Sequence, residues 1–279
     1  MKDKKQKRII SWAIILVFLL WGISWLLIST CLNDWKDRGT FGDMFGAVNS
    51  LFTGLAFAGL IYTIYLQREE LERTDEELKN HKLQLEKQNE NIAKQNFEMT
   101  FFNMLTNIQS ITNNMVAPIG EKTGRIYLHE LFENFHDSFD SDHKYQTVIL
   151  TVDDTNKDHL KEIVIHKYDN LFNIHSYNLG HFYRTIHNLL KMIENYSNNI
   201  EIRRRYASIL QAQLSNDELG FIFYNSLSIF SLDKNRVATF HRMVDDLNIL
   251  ENISGECIVH RILVNYFPNT NFFFTRKQS

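Results

Sequence analysis

Arg236-Val-Ala-Thr-Phe-His241 places an arginine and a histidine five residues apart. On one helix face such a pair could act on an RNA phosphodiester, His241 by proton transfer and Arg236 by stabilising the developing charge. A chain with 11 histidines also meets this spacing by chance. His129, Glu133, His136 and Asp140 fall at i, i+4, i+7 and i+11, one side of a helix, which is how a helix presents metal ligands. A second element would have to complete the shell, and a solvated flank of an amphipathic helix shows the same pattern. His181, Arg184, His187 and Lys191, with Arg203, Arg204 and Arg205, make the middle of the chain locally basic, and Tyr183 and Tyr206 lie among them. These groups could hold the phosphates of a nucleotide or an RNA segment. Surface charge with pairs such as Glu201 and Arg205 is the commoner origin of such a run. No Gly-rich phosphate loop, nucleophile elbow or HExxH motif occurs, which argues against an ordinary hydrolase or kinase.

The elements that position these residues follow from length and pattern. A chain of 279 residues supports one main core with accessories. A net charge of -3 gives no global pull toward nucleic acid. Cys31 and Cys257 are far apart and in no metal-like spacing, so a reducing compartment is expected and neither a disulfide framework nor a cofactor is. Only two prolines interrupt long periodic segments, which predicts a mainly α protein.

Residues 9–28 carry no charge, a run long enough to cross a hydrocarbon core of about 30 Å. Lys2, Lys4, Lys5, Lys7 and Arg8 precede it and are expected to stay on the cytoplasmic side. A cleaved signal peptide is disfavoured by the length of the run and the lack of an A-x-A-like site. A second span covers residues 47–66, with Tyr62 and Tyr65 near its far end, where amphipathic rings favour the interface. In the intervening loop Lys36 and Arg38 are offset by Asp34, Asp37 and Asp43. Both termini are therefore expected in the cytoplasm. Gly42, Gly46, Ser50, Gly54 and Ala58 place a small residue at every fourth position. Close backbone approach is what drives helix association in lipid. The stripe is expected to pack against the first span or against another chain in a homo-oligomer, with Asn49, Ser50 and Thr53 lining a polar path in the second case.

Residues 67–96 contain no Pro or Gly and carry Leu71, Leu78, Leu85 and Ile92 every seven residues, a series that Met99 continues. This half of a heptad seam predicts a helical stalk or a one-seam coiled coil. The globular domain is expected over 97–279, with apolar stripes at Phe97, Phe101, Met104, Leu105, Ile108 and Ile111 and at Leu128, Leu131, Phe132, Phe135 and Phe139. Pro118 and Gly120 predict a turn between them. Two β-branched runs within 144–170 could form a short β-hairpin, although the second also reads as helix. Further helices are expected at 179–196, 202–214, 218–230 and 236–250. Ser215 and Glu218 have the spacing of a capping box.

The segments FGDMFGAVNSLFTGLAFAGLIYTIYLQREEL, QNFEMTFFNMLTN, GRIYLHELFENF, LGHFYRTIHNLLKMI and RRRYASILQAQLSNDELGFIFYNSLS occur in an order that resembles the AbiC-like phage abortive infection proteins of bacterial membranes. The resemblance runs from about Phe41 to Ser228 and is lower in the last quarter. It implies a role in anti-phage defence at the bacterial inner membrane and no particular reaction; with the two spans the protein is expected to be multi-pass, and its cytoplasmic domain to meet a phage-derived trigger or an anionic ligand. Separately, the R-x4-H spacing is similar to that of HEPN-type ribonucleases, although Val237 stands where a polar residue often follows the arginine. Three functions follow as expectations. The first is an effector whose membrane helices assemble to compromise the bilayer. The others are a membrane-tethered ribonuclease and a sensor that recruits another effector.

Overall fold

A computed structural model describes residues 2–31, 35–118, 120–140, 142–233 and 235–276. The side chains of the basic N-terminal residues, of Cys31 and of the loop residues Asp34, Lys36, Asp37 and Arg38 lie outside the described residues. The chain is mainly helical and divides into two compact units, Met1–Gln88 and Asn89–Ser279.

The first unit holds α1, Lys2–Cys31, and the beginning of α2, Trp35–Asn113. Two stretches are long and apolar enough to cross a membrane, Ser11–Thr30 with mean hydropathy 2.3 and a window within Gly42–Asn113 with mean hydropathy 1.6. None of either apolar window is buried. Trp12, Phe18, Trp21 and Trp25 on α1, like Leu51, Phe52, Leu55 and Phe57 on α2, are all exposed. The charged stretch that follows continues the same helix, as its good helix formers and lack of Pro and Gly favour.

The second unit is built around α7, Asn216–Leu227, in which every residue from Glu218 onward is buried. A helix enclosed on all sides marks the centre of a domain. Around it pack α3, Gly124–Asp140, α5, Lys157–Tyr196, and α8, Thr239–Asp246, while α6, Ile200–Gln211, lies against α5. The stripe predicted for α3 is the buried face: Leu128, Leu131, Phe132, Phe135 and Phe139, joined by Gly124 and Tyr127. Gly220 is required by the closeness of α3 to α7, since a Cβ there would stand 2.5 Å from Phe132 Cε2. The capping box at the start of α7 forms, with Ser215 Oγ accepting from Glu218 N at 3.2 Å and Ser215 N donating to Glu218 Oε2 at 2.6 Å. Glu218 also accepts from Thr112 Oγ1 at 3.1 Å and pairs with Arg125 at 3.3 Å. One buried carboxylate thus ties α2, α3 and α7 together.

The possible β-hairpin within 144–170 does not form. Those residues form α4, His143–Ile149, a turn over 150–156, and the first part of α5. Asp142 caps α4 by accepting from Lys144 N at 2.9 Å and Tyr145 N at 3.2 Å. Leu160, Val164, Ile165 and Tyr168 recur at helical spacing and are all buried, so tertiary packing overrides the β preference of the branched residues. No strand is present among the described residues beyond an isolated bridge between Val116 and Thr123. The last predicted helix is shortened to α8 because turns flank it, with Arg236 at φ 61 before it and Asn248 at φ 59 after it. Its C-terminal side is held by buried Asp245, which accepts from Asn269 N at 3.1 Å and from Thr270 Oγ1 at 2.8 Å. The chain ends in 3₁₀ turns and the short α9, Phe273–Arg276.

Candidate functional site

The residues singled out for chemistry occupy separate places. Arg236 and His241 do not share a helix face, because Arg236 lies in a turn closed by Asp233, whose Oδ1 accepts from Asn235 N at 2.8 Å and from Val237 N at 3.0 Å. His241 is on α8, half-buried, with Nε2 donating to Tyr266 O at 3.0 Å and its ring 4.6 Å from that of Phe267. Its imidazole holds the C-terminal turns in place, and the shared helix face expected for the pair is not formed. His129 bridges two carboxylates, Asp217 at 3.1 Å and Glu133 at 3.4 Å, while His136 donates to Cys257 O at 3.1 Å. These ring nitrogens are occupied, and no group of three or more ligand-type residues able to hold a metal ion occurs among the described residues.

The basic region is divided similarly. Arg184 Nη2 lies 3.3 Å from His181 Nδ1, and Arg204 Nε donates to Asp246 O at 3.1 Å. His187 stands edge-on to Phe240 at 5.9 Å, and Arg205 is exposed. Arg203 Nε is buried without a hydrogen-bond partner. The nearby Glu194 carboxyl is held below the usual carboxylate range chiefly by the hydrogen bond from Arg242, at 2.5 Å. Tyr183 and Tyr206 do not offer stacking faces for bases. Tyr183 accepts from Tyr168 at 2.8 Å and donates to Phe221 O at 3.1 Å inside the core, and Tyr206 donates to Glu98 at 2.9 Å.

In the first unit, a Cβ at Gly42, Gly46 or Gly54 would meet nothing within 4 Å among the described residues. The stripe is thus open at these glycines among the described residues. Ser50 and Ala58, on the same side, are exposed.

Sequence reasoning missed a cleft of about 560 Å³ between α3, the α2–α3 loop and α5, within the size range of small-molecule sites. It lies where α5 bends: His175 leaves helical geometry with φ -106 and ψ 17. Ser176 Oγ donates to Asn173 O at 3.3 Å, drawing on a carbonyl of the helix ladder. On the far side of the bend Tyr177 Oη and Asn178 Nδ2 both donate to Val116 O, at 2.8 and 2.9 Å, which fastens the loop to α5. Tyr127 Oη and His175 Nδ1 are 2.8 Å apart across the cleft wall. Burial pushes the His175 imidazole below its ordinary value, which favours the neutral ring; a neutral ring that accepts the Tyr127 hydrogen at Nδ1 carries its own hydrogen at Nε2.

Residues 174–258 match the family model described as Putative phage abortive infection protein. The AbiC-like resemblance holds over this stretch. The AbiC-like segment begins at the bend of α5 and takes in the rest of that helix, α6, α7, α8 and the turn that carries Cys257. It extends past Ser228 into the last quarter, where likeness was expected to fall, and the segments quoted from before residue 174 lie outside it. No curated protein and no solved structure matches the chain.

Five histidines of this unit, His136, His175, His187, His241 and His260, are held below their ordinary value of 6.5 by burial. Each binds its proton more readily in the unfolded chain, so stability is full above the unfolded value and is lost as pH falls through the folded values. The unfolding midpoint of the full chain is expected to be flat from pH 8 to 7 and to drop between about pH 6.5 and 5. His241→Gln, which keeps a donor to Tyr266 O, is expected to flatten part of that drop, as read by thermal unfolding at each pH.

Proposed function

We propose that the chain is a membrane-anchored effector of abortive infection: the helical unit responds to an infection-induced event in the cytoplasm, and the apolar helices assemble between chains to compromise the inner membrane. The observation that carries this reading is the AbiC-like match over 174–258 on a chain that also holds two unburied apolar stretches of membrane-spanning length. A large exposed apolar surface is costly in water and favourable in lipid. The small-residue stripe, open at Gly42, Gly46 and Gly54, suits a second copy of the same helix, because backbone approach replaces the hydrophobic effect as the source of association there. In this reading both termini are cytoplasmic and the charged part of α2 links the two units.

A tethered ribonuclease is disfavoured by the separation of Arg236 from the α8 face that carries His241. The test is to infect cells expressing the full chain and to record membrane potential beside RNA integrity. Depolarisation with intact RNA supports the effector. RNA cleavage that precedes any change in potential contradicts it, and so does a chain that recruits a second protein while both readouts remain unchanged.

A further inference from the structure

We infer that the cleft at the α5 bend binds an uncharged planar heterocycle of nucleoside size, read by the amides of Asn134 and Asn170. The two ionised side chains of the lining are already neutralised within the fold: Glu130 by Lys122 at 2.7 Å, and Lys167 by Asp142 at 2.9 Å and by Ser138 O at 2.9 Å. No cation remains unpaired in the lining to meet a phosphate or carboxylate.

What remains is a neutral hydrogen-bonding set. The side chain of Asn134 makes no hydrogen bond among the described residues, and Asn170 uses one amide hydrogen toward His166 at 3.4 Å, leaving its carbonyl. A side-chain amide sets a donor beside an acceptor, the complement of a base edge. His175, which also lines the cleft, adds a third polar group. Between them Phe135, Leu171, Ile174 and Pro118 supply apolar surface against which a ring can lie. The neighbouring cleft between α4 and α5 has a different character, lined by Lys144, Glu162 and three histidines.

This inference does not depend on the effector reading. The probes are adenosine, guanosine, cytidine and uridine, each beside its 5′-monophosphate, in equilibrium dialysis against the purified full chain in detergent. At least one nucleoside is expected to saturate a single site below ~1 mM, and its monophosphate to bind no tighter. Asn134→Leu and Asn170→Leu, both at exposed positions, are each expected to weaken binding about tenfold, the worth of one hydrogen bond, with an unchanged unfolding midpoint. Three results would overturn the assignment: no saturation by any nucleoside, a monophosphate that binds tenfold tighter than its nucleoside, or parental affinity in both variants. Nucleoside binding by a chain that leaves membrane potential untouched would fault the effector role and leave the cleft assignment standing.

Discussion

Gly54→Leu is expected to leave insertion of the full chain intact and to abolish infection-induced depolarisation. Leucine is among the residues most readily accepted at the centre of a membrane span, so the variant enters the bilayer at least as well as the parent. What it removes is the bare edge. Gly54 has open space where its Cβ would be, so no contact within the described residues is disturbed and no folding defect is expected in the helix itself. Between chains, an isobutyl group at the stripe holds two backbones apart and forfeits the packing that substitutes for the hydrophobic effect in lipid. Gly59→Leu is the matched control, since Gly59 is equally open but off the stripe. Depolarisation should persist in Gly59→Leu. If potential collapses equally in both variants, the stripe does not mediate assembly.

The largest stability effect is expected at Phe135. Its ring is buried among those of Phe139 at 5.1 Å, Tyr224 at 4.8 Å and Tyr168 at 6.2 Å. Two of these rings carry the polar framework of the core: Tyr224 donates to Cys257 O at 2.9 Å, and Tyr168 accepts from Asn225 Nδ2 at 3.0 Å. Truncating Phe135 opens a cavity beside hydrogen bonds that cannot follow the collapse. Phe135→Ala should therefore cost about 3–5 kcal/mol. Phe102→Ala removes an aromatic ring of the same size that is 52 % exposed and should cost about 0.5 kcal/mol or less. Denaturant unfolding of the full chain in detergent measures both. A loss below ~1 kcal/mol at Phe135 would mean that α3 is not part of the central packing.

The parts of this fold that could be read from sequence are those written in one element at a time. The α3 stripe appears at helical spacing because one face meets α7, and the Ser215–Glu218 capping box is a local reciprocal bond. The start of α5 was ambiguous because Ile163, Val164 and Ile165 satisfy either period, and only the packing of Leu160, Val164 and Tyr168 decides it. The bend at His175 carries no Pro or Gly signal, since it arises from a serine back-bond and from a phenol donated by a different helix. The cleft could not be read for the same reason. Its lining comes from 117–118, 127–138 and 167–175, three separate segments whose residues meet only in the fold. The spacing of Arg236 and His241 misled in the opposite sense, because Asp233 holds Asn235 and Val237, on either side of Arg236, in a turn that a helical count does not anticipate.

The account rests on two apolar helices spanning a bilayer with the helical unit on the inner side, and protease access to a C-terminal tag tests this most directly. In intact spheroplasts the tag should be protected, should be cleaved once the membrane is permeabilised, and the chain should sediment with membranes after alkaline extraction. A tag digested from outside intact spheroplasts, or a chain recovered in the soluble fraction after lysis, would contradict the account.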